Sequence, residues 1–139
     1  MVEIRRTRPG DEALPDNLAD DVFDNGIDPV RLRAFLTEPR HVMVLAIEDG
    51  LVVGQVRAIV HMSPDQADEL YIDNMGVTPA RQREGIAGRM LDELLAWGRD
   101  QGCGHAWVAT ELDNVDARGL YESRGGKGAE MVFYEYGED

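Results

Sequence analysis

Residues 2–8, "VEIRRTR", alternate between apolar and polar positions as an edge strand does, and Pro9-Gly10 ends the run. Two helical segments are expected next, over about 11–24 and about 29–38, with Asp28 as the N-cap of the second and Pro29 at its first helical position. Pro39 closes that helix. "HVMVLAI" and "LVVGQVRAIVHM" are β-rich runs on either side of Glu48-Asp49-Gly50, and an Asp-Gly pair between two such runs predicts a hairpin. The polar span "SPDQAD" leads to a third run, "ELYIDNMGV", so three successive antiparallel strands are predicted.

Beyond Pro79, Ile86, Met90, Leu94 and Trp97 recur at helical spacing with Ala87 and Leu91 beside them, while Arg89, Asp92, Glu93, Arg99 and Asp100 take the other side. This is an amphipathic helix of about four turns, ended by Gly102. "HAWVAT" reads as the next strand, "NVDARGLYESRGG" as a short helix and "AEMVFYEY" as a final strand. The strand–helix–strand order between 70 and 110 is a βαβ unit, whose two strands should run parallel in one sheet. With no repeat, linker or low-complexity segment, one compact α/β or α+β domain spanning 1–139 is expected.

Composition narrows the function classes. No apolar run approaches the ~20 residues that cross a bilayer, and the start, "MVEIRRTRPGDEA", lacks a signal-peptide core, so a cytoplasmic protein without a membrane partner is expected. Lys+Arg 14 against Asp+Glu 27 gives a net charge of −13, which disfavours nucleic acid and favours a cationic small molecule. Plain solubility accounts for the same charge. Asp11, Glu12, Asp16, Asp20, Asp21, Asp24 and Asp28 carry much of the excess. They suit either the outside of short helices or one wall of a substrate cleft. The single Cys103 has no disulfide partner, and His41, His61 and His105 lack ligand spacing, so no metal site is expected.

The helix after Pro79 opens on small residues: Gly85, Ala87 and Gly88. Backbone N–H groups at a helix start are unpaired and sit at the positive end of the dipole, so they bind phosphate oxygens where nothing bulky blocks approach. There is no Gly-Lys-Ser/Thr of a P-loop and no Gly-x-Gly-x-x-Gly of a dinucleotide site. Gln82-Arg83-Glu84-Gly85-Ile86-Ala87 instead fits Gln/Arg-x-x-Gly-x-Gly/Ala, a pattern that tight helix–sheet packing would also produce.

In context, "MGVTPARQREGIAGRML" resembles the acyl-CoA-binding motif of the GNAT superfamily of N-acyltransferases, and Asn114-x-x-Ala117-x-x-Leu120-Tyr121-x-x-x-Gly125 resembles the second motif of that family. "ELYIDNMGV", "RQREGIA" and "EMVFYEY" are similar to the aminoglycoside 3-N-acetyltransferase branch. Glu84, where the family has a basic or amide residue, and Gly126, where it has a bulky apolar one, depart from the pattern. The resemblance implies an α+β fold with a central mixed sheet of about six or seven strands, mostly antiparallel, with a parallel pair splayed around the acyl-CoA site and about four flanking helices.

The resemblance also implies acetyl-CoA as cosubstrate and a small cationic amine as acceptor. Its pyrophosphate would rest on the turn Gln82, Arg83, Glu84, Gly85, Ile86, Ala87 and Gly88, and its pantetheine arm on the backbone of Met75, Gly76 and Val77, with Asn114 and Tyr121 nearby. Arg81 and Arg89 could add charge near the phosphates. A bulge at Met75 or Gly76 would aim an N–H at the developing oxyanion. Tyr121 is the expected general acid, and Asp73, then Glu111, the expected base, directly or through a water; Glu69, Tyr71 and Asp73 share a strand face by period two. Polyamines, protein or peptide amines, and acyl-CoA binding without turnover are the alternatives. The apolar, aromatic "MVFYEY" leads us to expect a homodimer.

Overall fold

A computed structural model describes residues 1–137. They form two compact units, Met1–Ala109 and a second that begins at Thr110, and each is described by itself.

The first unit is a five-stranded mixed sheet in chain order: β1 (Glu3–Arg6), β2 (His41–Glu48), β3 (Leu51–His61), β4 (Glu69–Val77) and β5 (His105–Val108). β1 to β4 pair antiparallel and β4 pairs parallel with β5 across helix α2 (Ile86–Asp100), as the βαβ spacing required. The β2–β3 turn is the predicted hairpin. Glu48 faces Leu51, and Asp49 and Gly50 both have positive φ, at 52° and 78°, the pairing that matches strand twist in a two-residue loop.

The two sheet faces are covered differently. A Cβ on Gly54 would meet the Met90 side chain, and one on Gly98 the Leu70 side chain, so α2 packs on the face presented by Gly54, Val56 and Leu70. Its Ile86, Met90, Leu91, Leu94 and Trp97 are buried there, each stabilising by roughly 1.5–3 kcal/mol. On the opposite face lie Met43, Leu45 and Val52 of the sheet, Leu32 and Leu36 of helix α1 (Pro29–Thr37), and Val22. The Asp28 carboxylate accepts from Val30 N and Arg31 N at 2.9 and 3.2 Å, which starts α1 where the sequence placed it.

The helix expected over 11–24 does not form. A single 3-10 turn, Leu14–Asp16, is followed by turns in which Asn17 O accepts from Val52 N and Ala19 N donates to Val52 O, both at 2.9 Å. Pro15, a run of helix-poor Asp residues, and pairing of this segment with the start of β3 outweigh its helical pattern.

The second unit holds α3 (Val115–Ser123). The expected strand "AEMVFYEY" is not a strand in the described residues, and Met131 to Tyr134 and Tyr136 are exposed. A β-former run needs a ladder partner, and this unit contains no other strand among its described residues. Among the described residues the sheet therefore has five strands and the fold three α-helices, rather than the larger numbers expected. Among the described residues no helix is long and apolar enough to cross a membrane.

Candidate active site

The site is organised around β4. Glu69 to Ile72 pair in parallel with His105 to Val108, and there the pairing stops while β4 runs on to Val77. Against β3, Ala58 lies opposite Ile72 and Arg57 opposite Asn74, so Asp73 is the extra, bulged residue. The irregularity expected at Met75 or Gly76 thus falls at Asp73, where β4 parts from β5; the added twist of a bulge turns the strand away from its neighbour. Met75, Gly76 and Val77 keep their ladder to Val56, Gln55 and Gly54, and their other edge pairs with no strand of the sheet. Alternate residues of such an edge present N–H and C=O to an incoming extended chain.

After β4 comes a 3-10 turn, Pro79–Arg81, and then a turn in which Arg83 (φ 67°) and Gly85 (φ 80°) are left-handed. Gly85 is the N-cap of α2 and no side chain caps it, whereas α1 and α3 are capped by Asp28 and Asn114. The first N–H groups of α2, from Ile86, Ala87 and Gly88, therefore have neither a helical nor a side-chain cap acceptor. Ile86 and Gly88 are buried and Ala87 half-buried.

Of the polar side chains flanking this turn, Arg81 bonds Glu48 at 2.8 Å and Glu84 at 3.0 Å, Gln82 donates to Val77 O at 3.2 Å, and Arg89 donates to Val2 O at 3.0 Å. Arg83 alone of these four makes no such contact among the described residues. Glu84, the departure from the family pattern, has its charge met by Arg81, and Glu48 and then Glu84 hold the Arg81 guanidinium above its usual range.

The β4 face turned away from α2 is polar. The bulge brings two consecutive residues to it: Asn74, opposite Arg57, and Asp73, whose Oδ2 lies 3.4 Å from Arg57 Nε. Asn74 Nδ2 donates to Asp24 Oδ2 at 3.4 Å, so part of the early acidic run does border β4. Farther along, Tyr71 stacks on the 41 % exposed Trp107, with ring centroids 4.2 Å apart. At the other end a Cβ on Gly76 would collide with the Val22 carbonyl oxygen, so only glycine lets the 20–24 segment lie flush on the strand.

In the second unit, Asn114 Oδ1 accepts from Ala117 N at 3.1 Å and caps α3. Tyr121 is partly buried, and burial pushes its phenol up. Gly125 (φ 87°) and Gly126 close the helix, their N–H groups donating to Glu122 O and Tyr121 O at 3.0 and 2.9 Å. A Cβ on Gly126 would lie 2.8 Å from Tyr121 O, which accounts for glycine where the family has a bulky residue. Glu111 is exposed, and its backbone oxygen accepts from Asn114 N at 3.1 Å.

The model of the acetyltransferase (GNAT) family matches residues 7–126. The chain belongs to the GNAT acetyltransferase family. It is an acyl-CoA-dependent acetyltransferase. Among curated relatives of this GNAT enzyme, an uncharacterized N-acetyltransferase of Mycobacterium tuberculosis, Rv2669, is 27% identical over 114 residues, 81% of this chain and 69% of that protein. The N-alpha-acetyltransferase RimI of the same organism is 32% identical over 104 residues, 75% of this chain and 63% of that protein.

Solved structures share the fold. The aminoglycoside acetyltransferase meta-AAC0020 from an uncultured soil metagenomic sample, in complex with sisomicin, aligns at a TM-score of 0.82 and 18% identity, covering 99% of this chain and 95% of that one. AAC(6')-Iy in complex with a CoA-containing bisubstrate analog aligns at 0.79 and 16% identity, covering 100% and 99%.

In this GNAT enzyme the sequence-predicted turn and β4 residues adjoin in one unit, while Glu111, Asn114 and Tyr121 belong to the other. Sequence reading missed Gln55 and Arg57 as partners of β4 and the stacking of Trp107 on Tyr71, and it named Asp24 only as one of seven acids that suit a helix exterior or a cleft wall. Gln55 had a visible signal, a lone amide inside "LVVGQVRAIV". The pairing of Asp24 with Asn74, fifty residues apart, had none.

Proposed function

We propose that this enzyme transfers the acetyl group of acetyl-CoA to a primary amine of a small polycationic acceptor, an aminoglycoside being the sharpest form. The observation that carries the reading is β4 itself: its bulge puts Asp73 and Asn74 on one face, with Asp24 alongside, and beyond the bulge an unpaired edge leads into an uncapped helix start. The aminoglycoside acetyltransferases among the structural neighbours support the acceptor class. They include a 6' enzyme, so the 3-N resemblance sets no ring position here.

The N–H groups at the start of α2, with Arg83, take the pyrophosphate, and the free edge at Met75–Val77 takes the amides of the pantetheine arm. Acetyl-CoA supplies the thioester whose carbonyl carbon the amine attacks, forming the C–N bond and releasing the thiolate. An alkyl ammonium with a pKa near ~10 must first lose a proton. Asp73 holds the ammonium and takes that proton, directly or through a water, with Glu111 as the other candidate. Arg57 offsets part of the Asp73 charge, so Asp24 shares in attracting the cation. Tyr121 returns a proton to the thiolate; burial keeps its phenol protonated through the neutral range.

A second reading, acetylation of a protein or peptide α-amine, is favoured by the likeness to RimI. Thiol release from acetyl-CoA with aminoglycosides, polyamines and peptides bearing a free N-terminus separates the two. The polycations should react fastest, and release with peptides alone would replace the first reading by the second. Tyr121→Phe should lower kcat by about 10²-fold or more. Because the phenol titrates above its ordinary range, the wild-type rate should hold until the pH passes ~10. A fall centred near pH ~8 would remove Tyr121 from that role.

A further inference from the structure

We infer that Gln55 is a positioning residue for the amine acceptor: through Asn74 it holds the Asp24 carboxylate at the bulged face of β4, where Asp24 binds the ammonium. The inference rests on the proposed N-acetyltransferase reading and deepens it.

Gln55 is 0 % exposed, the one polar residue of the buried stretch Val52 to Val56 of β3. Its Nε2 donates to Val22 O at 3.1 Å and to Asn74 Oδ1 at 2.6 Å. The Val22 carbonyl can only accept, so it fixes the Gln55 amide; Nε2 then takes Asn74 Oδ1, and Asn74 is left with its Nδ2 turned to Asp24 Oδ2. A single buried side chain thus ties the acidic segment to β3 and sets which end of Asn74 faces outward. Gly76, opposite Gln55 in register, lets Val22 approach closely enough for the tie to form.

The second observation is a defect. Gln55 Oε1 is buried and has no hydrogen-bond partner among the described residues. Such a group destabilises a fold, a cost that the two Nε2 contacts to Val22 O and Asn74 Oδ1 have to offset. Defects of this kind are tolerated where they serve a site. Asp24 keeps lone pairs beyond the one that Asn74 uses, enough to accept from an ammonium.

The test is a double-mutant cycle in steady-state kinetics, with the best polycationic amine of the panel as acceptor. Gln55→Met should raise the amine KM by about 5–10-fold, with kcat and the acetyl-CoA KM within about twofold, alongside the lower melting temperature that follows from leaving Val22 O and Asn74 Oδ1 without their donor. Asp24→Asn should raise the amine KM to a similar extent, and the double variant should be no worse than Asp24→Asn alone. Independent, multiplying effects, or a lower melting temperature with an unchanged amine KM, would overturn the inference. Should Gln55→Met fail to fold, Asn74→Ala takes its place in the cycle with the same expectations. If the wild type releases no thiol with any amine, the proposed function fails first and the inference with it, before any variant is compared.

Discussion

Along β4, the edge beyond Ile72 and the turn that follows offer backbone, whereas the face turned away from α2 offers side chains. The edge at Met75–Val77 and the start of α2 present N–H and C=O groups whose identity does not depend on residue type, cleared by Gly85, Ala87 and Gly88. The polar face is assembled from Asp24, Gln55, Arg57, Asp73 and Asn74, drawn from three separate stretches of chain. An invariant cosubstrate suits the first kind of surface, because backbone geometry is set by a short local motif. A variable acceptor suits the second, because single side chains can change without disturbing the strand.

Gly85→Val would bend this division hardest. Forcing a β-branched residue to a φ of 80° costs ~1–3 kcal/mol, so the acetyl-CoA KM should rise by about 10–100-fold while the amine KM holds. Equal rises in both constants would erase the distinction. Gly76→Ala leaves the backbone edge in place and drives a methyl against Val22 O, and should cost ~1–3 kcal/mol in urea unfolding. Its amine KM should rise more than its acetyl-CoA KM, and the reverse order would assign Gly76 to the backbone side alone. The smallest effect is expected at Arg83, exposed and free of ion pairs among the described residues: Arg83→Ala should raise the acetyl-CoA KM by about two- to threefold. A much larger rise would mean that a side chain, not only backbone, holds the phosphates.

Much of the scaffold was legible because its signals are local. The Asp49-Gly50 hairpin, the Asp28-Pro29 start of α1, the amphipathic α2 and the parallel β4–β5 pair all follow from a few adjacent residues or one period. Residues 11–24 misled because their helical pattern competes with strand-like hydrogen bonding to Val52, more than thirty residues away. "AEMVFYEY" misled because β propensity says that a strand is favoured without saying that a partner is present. The bulge was expected near the site but at the wrong residue, since register depends on how two strands align over their whole length.

By itself the sequence determined the five strands of the sheet, the helices α1 to α3, their order and the glycine-opened helix start, because capping, turn geometry and amphipathic period act over a few residues. Only the tertiary structure decided that Asp73 and Asn74 share one face, that Arg57 pairs with Asp73, and that Asp24 reaches β4. Those outcomes depend on a one-residue slip between strands and on a buried amide joining distant segments. The strength of the Gln55 contacts comes from removal from water, which no local stretch of chain can supply before the sheet and its covering segments have come together.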